Sequence, residues 1–320
     1  MNDPAANPVN IEEQRAWLID HKAATGAGWS EIARRMGVPQ GTISQFGSER
    51  GYSGNEQPIA ETVYRYRQLL IAKAARAIEA PTVPGYFKTQ TSADLLALLG
   101  VAQDGEIVVG ALGAGLGKTT TARHFKACYP NVFHAEMSPS TAGVMNMQIE
   151  VLHALGITND VGSPQKLSQR IRERVKDMRN PVIILDEAQH LSEKAIDEAR
   201  GWFDRTGVGL ALLGNIGVMQ RIEGGNRKAA FAQLYSRIAM RLIRPVALQA
   251  DADALAAAWG IGDGAEIAQI RKVCMLPGGL RGATHMLKLA TRIAASEQTQ
   301  LAVDHLQDAW AQLSTQAVAA

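Results

Sequence analysis

The sequence predicts an α/β fold, a core with a parallel sheet preceded by an all-α helix-turn-helix domain and followed by a small all-α domain. Three observations predict it. Short apolar runs alternate with helical patterns through residues 86–248, as buried parallel strands do. Residues 11–80 and 250–320 carry helical patterns only. A glycine-rich stretch, residues 113–117, stands between one apolar run and a helical one. The expected boundaries are 1–80 for the first domain and linker, 81–248 for the core and 249–320 for the last domain.

Composition sets the outer limits. The chain has 320 residues, 46% hydrophobic and 20% charged, an ordinary globular balance. No apolar run reaches the roughly 20 residues that a membrane crossing needs. Met1 to Asn10 is polar, without the basic start and apolar core of a secretory signal. Cys128 and Cys274 are the only cysteines; so distant a pair suggests free thiols and a reducing cytoplasm. The net charge of +2 does not by itself imply a nucleic-acid partner.

The first domain holds Trp29-Ser30-Glu31-Ile32-Ala33-Arg34-Arg35-Met36-Gly37-Val38-Pro39-Gln40-Gly41-Thr42-Ile43-Ser44-Gln45-Phe46. It fits two short helices around a turn. Ser30 is the expected N-cap. Ile32, Ala33 and Met36 form an inward face, Gly37 permits the turn, and Ile43 and Phe46 anchor the second helix at i and i+3. That leaves Gln40, Thr42, Ser44 and Gln45 for a DNA groove and Arg34, Arg35 and Arg50 for phosphates. The other reading is a neutral helical bundle for protein contacts.

The core's expected strands are Ile107–Val109, Val132–Phe133, Val182–Leu185 and Leu210–Leu213. After the first comes Gly113-Ala114-Gly115-Leu116-Gly117-Lys118-Thr119-Thr120, then a helical stretch. Such a strand–loop–helix turns backbone amides toward a phosphate, and the helix N-terminus adds its positive end. Lys118 is expected to reach the β- and γ-phosphates of ATP, and Thr119 to ligate Mg²⁺. Leu112 occupies the position where the motif usually has its first glycine.

The third strand ends in Asp186-Glu187. Asp186 is expected to serve Mg²⁺, and Glu187 to orient and polarise the attacking water. The next strand ends in Gly214-Asn215. Asn215 reads either as a contact to that water or as a turn former with Gly214. Arg237 and Arg281 read either as surface ion pairs or as cations for the γ-phosphate, one from a neighbouring subunit and one from the chain's own last domain. Arg241 is the substitute for Arg237. The basic loop Gly224-Gly225-Asn226-Arg227-Lys228 reads as a contact for DNA or for a neighbour's nucleotide. The basic helix from Lys166 to Arg179 reads as a solvated face over Leu167, Ile171 and Val175.

Taken together the chain resembles the transposition ATPases of the phage Mu B type, a branch of the AAA+ ATPases. The resemblance runs nearly end to end. It is most specific at Gly41-Thr42-Ile43-Ser44, Glu187-Ala188 with His190-Leu191, Gly224-Gly225-Asn226-Arg227, Phe231-Ala232 and Ser236-Arg237-Ile238-Ala239. It implies an ATPase that binds double-stranded DNA with little sequence preference and assembles into a ring or helical filament. It implies delivery of that target DNA to a partner transposase, activation of the transposase, and release of DNA on hydrolysis. By the same resemblance Asn215 senses the γ-phosphate, Arg237 acts in trans and Arg281 is the lid arginine. The expected location is the cytoplasm of a bacterial host, with no membrane association. Two other readings stay open: a nucleotide-sensing helix-turn-helix regulator and a helicase-loader-like AAA+ ATPase. The pair Asp186-Glu187 speaks against a pure sensor, and the first domain speaks against a plain loader.

Overall fold

A computed structural model describes residues 9–48, 50–78, 83–159, 161–223, 234–262 and 264–318. The chain divides into two compact units, Met1–Ala80 and Pro81–Ala320.

Among the described residues the first unit has four helices: α1 (Ile11–Thr25), α2 (Trp29–Met36), α3 (Gln40–Phe46) and α4 (Gln57–Ile78). Leu18, Ile32, Ile43, Phe46, Ala60 and Val63 are fully buried and hold them together. Gly37, at φ 69°, closes α2 in the left-handed region, where glycine is the natural occupant. Ser30 is not the cap. Helix α2 begins two residues earlier than that cap would set it, at Trp29, with Gly28 as N-cap and no side-chain cap bond. The Arg15 side chain ties three segments, donating to the Phe46 carbonyl at 3.0 Å and to Glu12 and Glu56.

The second unit opens with α5 (Gln90–Gln103), whose N-terminus is closed by reciprocal bonds between Thr89 and Ser92. Then come β1 (Ile107–Leu112), α6 (Lys118–Cys128), β2 (Val132–Glu136), α7 (Val144–Ala154), α8 (Pro164–Lys176), β3 (Val182–Asp186), α9 (Glu193–Thr206), β4 (Gly209–Gly214), α10 (Ile216–Glu223) and β5 (Ile238–Arg244). Four more helices follow: α11 (Gln249–Ala258), α12 (Gly264–Cys274), α13 (Gly279–Ser296) and α14 (Val303–Val318). The five strands form one sheet in the order β2-β3-β4-β1-β5, parallel throughout.

Strands β1, β3 and β4 are buried along their whole length, which is why they read as unbroken apolar runs. Their side chains alternate between two clusters. Val108, Leu112, Ile184 and Ala211 face α5, α6 and the last four helices. Ile107, Val109, Leu185 and Leu212 face α7, α8 and α9. Leu255, Ile270, Met286, Leu287 and Leu306 of the last four helices belong to the first cluster.

Strand β5 is not among the expected strands. It lies on the sheet edge with Ile238 as its one buried residue, and Arg241 and Arg244 interrupt its apolar pattern. An edge strand exposed on one side has no need of the continuous run that marks a central one. The basic helix behaves as expected: α8 buries Leu167, Ile171 and Val175.

Candidate functional site

The loop between β1 and α6 sits at the carboxyl end of the sheet, where open parallel sheets bind ligands. Its glycines answer to different demands. A Cβ on Gly113 would lie 2.1 Å from the Pro245 carbonyl oxygen, just past β5. Gly115, at φ 78°, faces the start of α13: a Cβ there would lie 1.9 Å from the Gly278 carbonyl oxygen. Gly117, at φ 81°, has open space around it and is the N-cap of α6.

Leu112, which departs from the usual motif, is the last residue of β1 and fully buried in the first cluster. It keeps an ordinary strand backbone. The left-handed turns of the loop begin only at Gly115, so position 112 has no conformational need for glycine.

Lys118, Thr119, Asp186 and Glu187 come together across the cleft. Lys118 Nζ donates to Glu187 Oε1 at 2.8 Å and lies 3.8 Å from Asp186 Oδ1. Thr119 Oγ donates to Asp186 Oδ2 at 2.7 Å. His134 Nε2, from β2, lies 3.3 Å from the same oxygen. The Glu187 amide donates to Asp186 Oδ1 at 2.9 Å. Asp186 is fully buried, so it needs these donors. Burial pushes its carboxyl pKa up, but His134, Thr119, the Lys118 charge and the Glu187 amide together hold it below the ordinary carboxylate value. For Glu187, too, burial and the Asp186 charge push upward. Bonds from Lys118 and Gln189 and the Lys118 charge outweigh them, and its pKa is lowered.

Glu187 stands at φ 55°, ψ 35°, in the left-handed region. A non-glycine residue there costs about 1 kcal/mol or more, and such outliers gather at functional sites. The turn sends the chain into a short 3₁₀ segment, Ala188–His190. Asn215 follows β4; its Oδ1 accepts from the Gly217 amide at 2.8 Å, so the side chain forms the turn into α10. It also lines the cleft.

That cleft, of about 160 Å³, is walled by the loop from Leu112 to Thr120 together with Glu187, Asn215 and Arg281. A second cleft of about 270 Å³ adjoins it, sharing Gly115, Leu116, Gly117, Thr120 and Arg281. Tyr86, Phe87 and Leu280 give it apolar walls, and His285 and Lys288 of α13 add polar ones. The Arg281 amide donates to the Gly115 carbonyl at 3.2 Å, tying the loop to α13.

Arg237 is elsewhere: its Nε donates to Asp204 of α9 at 2.7 Å, and it lines neither cleft. Arg241 lies over the Tyr235 ring at 4.2 Å and donates to the Tyr235 carbonyl. In the first unit Arg34, Arg35, Gln40 and Gln45 are exposed, while Thr42 and Ser44 are half-buried. Arg35 pairs with Glu31, and Ser44 Oγ donates to the Gly41 carbonyl. Arg50 is exposed. Arg227 and Lys228 lie outside the described residues, as do Gly224 to Asn226 and Phe231-Ala232. No helix among the described residues is long and apolar enough to cross a membrane.

The sequence reading missed Tyr86, Phe87, His285, Lys288, His134 and Gln189. For two of them a signal exists: His285 and Lys288 follow Arg281 at i+4 and i+7, on one face of a helix. For Tyr86 and Phe87 none exists, since only folding brings the segment before α5 to the loop.

Residues 107–222 match the model of an AAA domain, and residues 236–313 that of the C-terminal part of the Mu B transposition protein. The chain is 31% identical over 309 residues to the ATP-dependent target DNA activator B of Escherichia phage Mu, covering 95% of this chain and 96% of that protein. It is 31% identical over 267 residues to the Mu-like prophage FluMu DNA transposition protein B of Haemophilus influenzae, covering 82% and 91%. The Aeropyrum pernix ORC1 protein, solved in complex with DNA, shares the fold at a TM-score of 0.51 and 17% identity, covering 72% of this chain and 66% of that one.

Proposed function

The chain belongs to the Mu B family of AAA+ DNA-transposition ATPases, and on that footing we propose that it assembles on target DNA with ATP, delivers that DNA to a partner transposase and activates it. Hydrolysis then releases the DNA. The name of its phage Mu relative, an ATP-dependent target DNA activator, supports the reading.

The observation that carries the reading is the cluster of Lys118, Thr119, Asp186 and Glu187 on one cleft, with Arg281 reaching it from α13. ATP occupies both clefts, its phosphates against Gly113, Gly115, Gly117, Lys118, Thr119 and Thr120, its base between the apolar walls of the second. The phosphates draw Lys118 away from Glu187. Relieved of its ion pair, Glu187 accepts a proton from the attacking water. Arg281 neutralises charge on the γ-phosphate from within the chain, and Asn215 borders the same space. Arg237 acts on a neighbouring subunit's nucleotide, which fits its place outside both clefts.

The Thr119 hydroxyl and Asp186 carboxylate are hard oxygen donors of the kind Mg²⁺ takes, and they stand side by side. Bound there, Mg²⁺ would neutralise phosphate charge. Helices α11 to α14 form a lid domain on this reading. DNA meets α3 through the exposed Gln40 and Gln45 and the half-buried Thr42 and Ser44, with Arg34, Arg35, Arg227 and Lys228 on phosphates. These contacts neutralise backbone charge, so binding weakens as salt rises.

Electron microscopy with ATP and duplex DNA tests the assembly: continuous rings or filaments are expected, and isolated monomers or dimers on DNA overturn it. A Glu187→Gln variant should bind ATP and stay assembled while losing hydrolysis by about 100-fold or more. Hydrolysis at the parent rate would remove Glu187 from its role.

A further inference from the structure

Gln189 lies two residues beyond Glu187, and its amide is held at both ends. Its Nε2 donates to Glu187 Oε2. Its Oε1 accepts from the Asn215 backbone amide at 3.2 Å. The second bond fixes the first, because an amide whose oxygen faces an N–H must turn its NH₂ the other way. Gly214 leaves the necessary room: a Cβ there would lie 2.4 Å from Gln189 Oε1. Gln189 thus links the turn after β3 to the turn after β4, bonding to Glu187 and Asn215, which both wall the cleft.

The two oxygens of Glu187 have one donor each from a side chain, Lys118 on Oε1 and Gln189 on Oε2. Of these two, only Lys118 is drawn away by nucleotide. We propose that Gln189 is a positioning residue for hydrolysis, the group that sets where the Glu187 carboxylate stands once Lys118 has turned to the phosphates. The inference rests on the reading of Glu187 as the water-activating group. Gln189 touches neither phosphate nor water on this view. It holds Glu187 at a fixed place relative to Asn215, because one amide group binds both turns.

The test uses the full-length chain with ATP and duplex DNA. Gln189→Ala removes both bonds. Gln189→Glu keeps the shape and the acceptor for the Asn215 amide but sets a carboxylate against Glu187. Each variant is first checked for the parent melting temperature. The expected result is kcat lowered about tenfold or more in both, with Gln189→Glu at least as impaired as Gln189→Ala. KM and the Kd of a fluorescent ATP analogue should stay within about twofold of the parent, since no contact to nucleotide is removed. A Gln189 that merely fills space gives the reverse order, with the isosteric glutamate near the parent rate and the alanine impaired; that result overturns the proposal. So does parent-like kcat in both, or a loss confined to KM. Glu187→Gln is measured beside them. If it abolishes hydrolysis while the Gln189 variants run at the parent rate, only the positioning role fails. If Glu187→Gln itself hydrolyses normally, the reading of Glu187 fails first.

Discussion

Alanine at Gly115 strikes the loop where it runs closest to α13. The backbone there is left-handed at φ 78°, and the new Cβ would lie 1.9 Å from the Gly278 carbonyl oxygen and 3.0 Å from Arg281 Cβ. Gly117 makes the natural comparison, since it is also left-handed, at φ 81°, but has nothing within 4 Å of a Cβ. Gly117→Ala therefore carries the conformational cost alone, about 1 kcal/mol. Gly115→Ala carries that cost plus a backbone clash that only a shift of loop or helix relieves, adding about 2 kcal/mol. At about 3 °C per kcal/mol for a unit of this size, the nucleotide-free chain should melt about 3 °C lower with Gly117→Ala and about 9 °C lower with Gly115→Ala. Gly282→Ala, on α13 with open space around it, serves as control and should melt at or slightly above the parent. Scanning calorimetry without nucleotide separates the three. Equal losses for Gly115 and Gly117 would refute the close approach of loop and α13.

Gly37→Ala should lower the melting of the first unit by about 1 kcal/mol, because the turn between α2 and α3 stands at φ 69° with no steric obstacle to a methyl group; denaturation of residues 1–80, followed by tryptophan fluorescence in the full chain, checks it. Asp251→Ala should cost about 3 kcal/mol or more: the fully buried carboxylate accepts from the Thr91 amide, the Thr91 hydroxyl and the Leu248 amide, and its loss strands all three donors. Urea titration reads that cost, and a change under about 1 kcal/mol would contradict it. The pH dependence follows from Asp186 and Glu187, whose carboxyls are held below their ordinary values when folded. The unfolded chain then takes up protons at higher pH than the folded one, so their contribution is complete above about pH 5 and is lost as pH falls through the lowered folded values. Melting temperature should fall on acidification below about pH 4, and less so in Asp186→Asn than in the parent.

Much of this architecture can be read in the sequence because burial on both faces leaves an unmistakable trace. Val182 to Leu185 and Leu210 to Leu213 have no polar interruption, for no side of those strands meets water. Gly115 and Gly117 are legible for another reason: a left-handed backbone before a helix leaves little choice of residue. Strand β5 is hidden because an edge strand need satisfy only one face. Tyr86 and Phe87 are hidden because their meeting with the loop is made by the fold, not by neighbours in sequence. Gln189 is the instructive case. It stands beside the acidic pair in plain view, yet its partnership with Asn215 spans 26 residues and depends on β3 and β4 lying side by side. Spacing reports which elements exist; register between elements decides which side chains share a hydrogen bond.

On the role proposed for Glu187, its left-handed backbone sets folding and activity against each other at one position. Glycine there would relieve the strain and lose the carboxylate; most other non-acidic residues would keep the strain without the carboxylate. The backbone cost is set against the carboxylate's own bonds from Lys118 and Gln189, which glycine would forfeit. A glutamate at φ 55° thus carries a backbone cost that glycine would not.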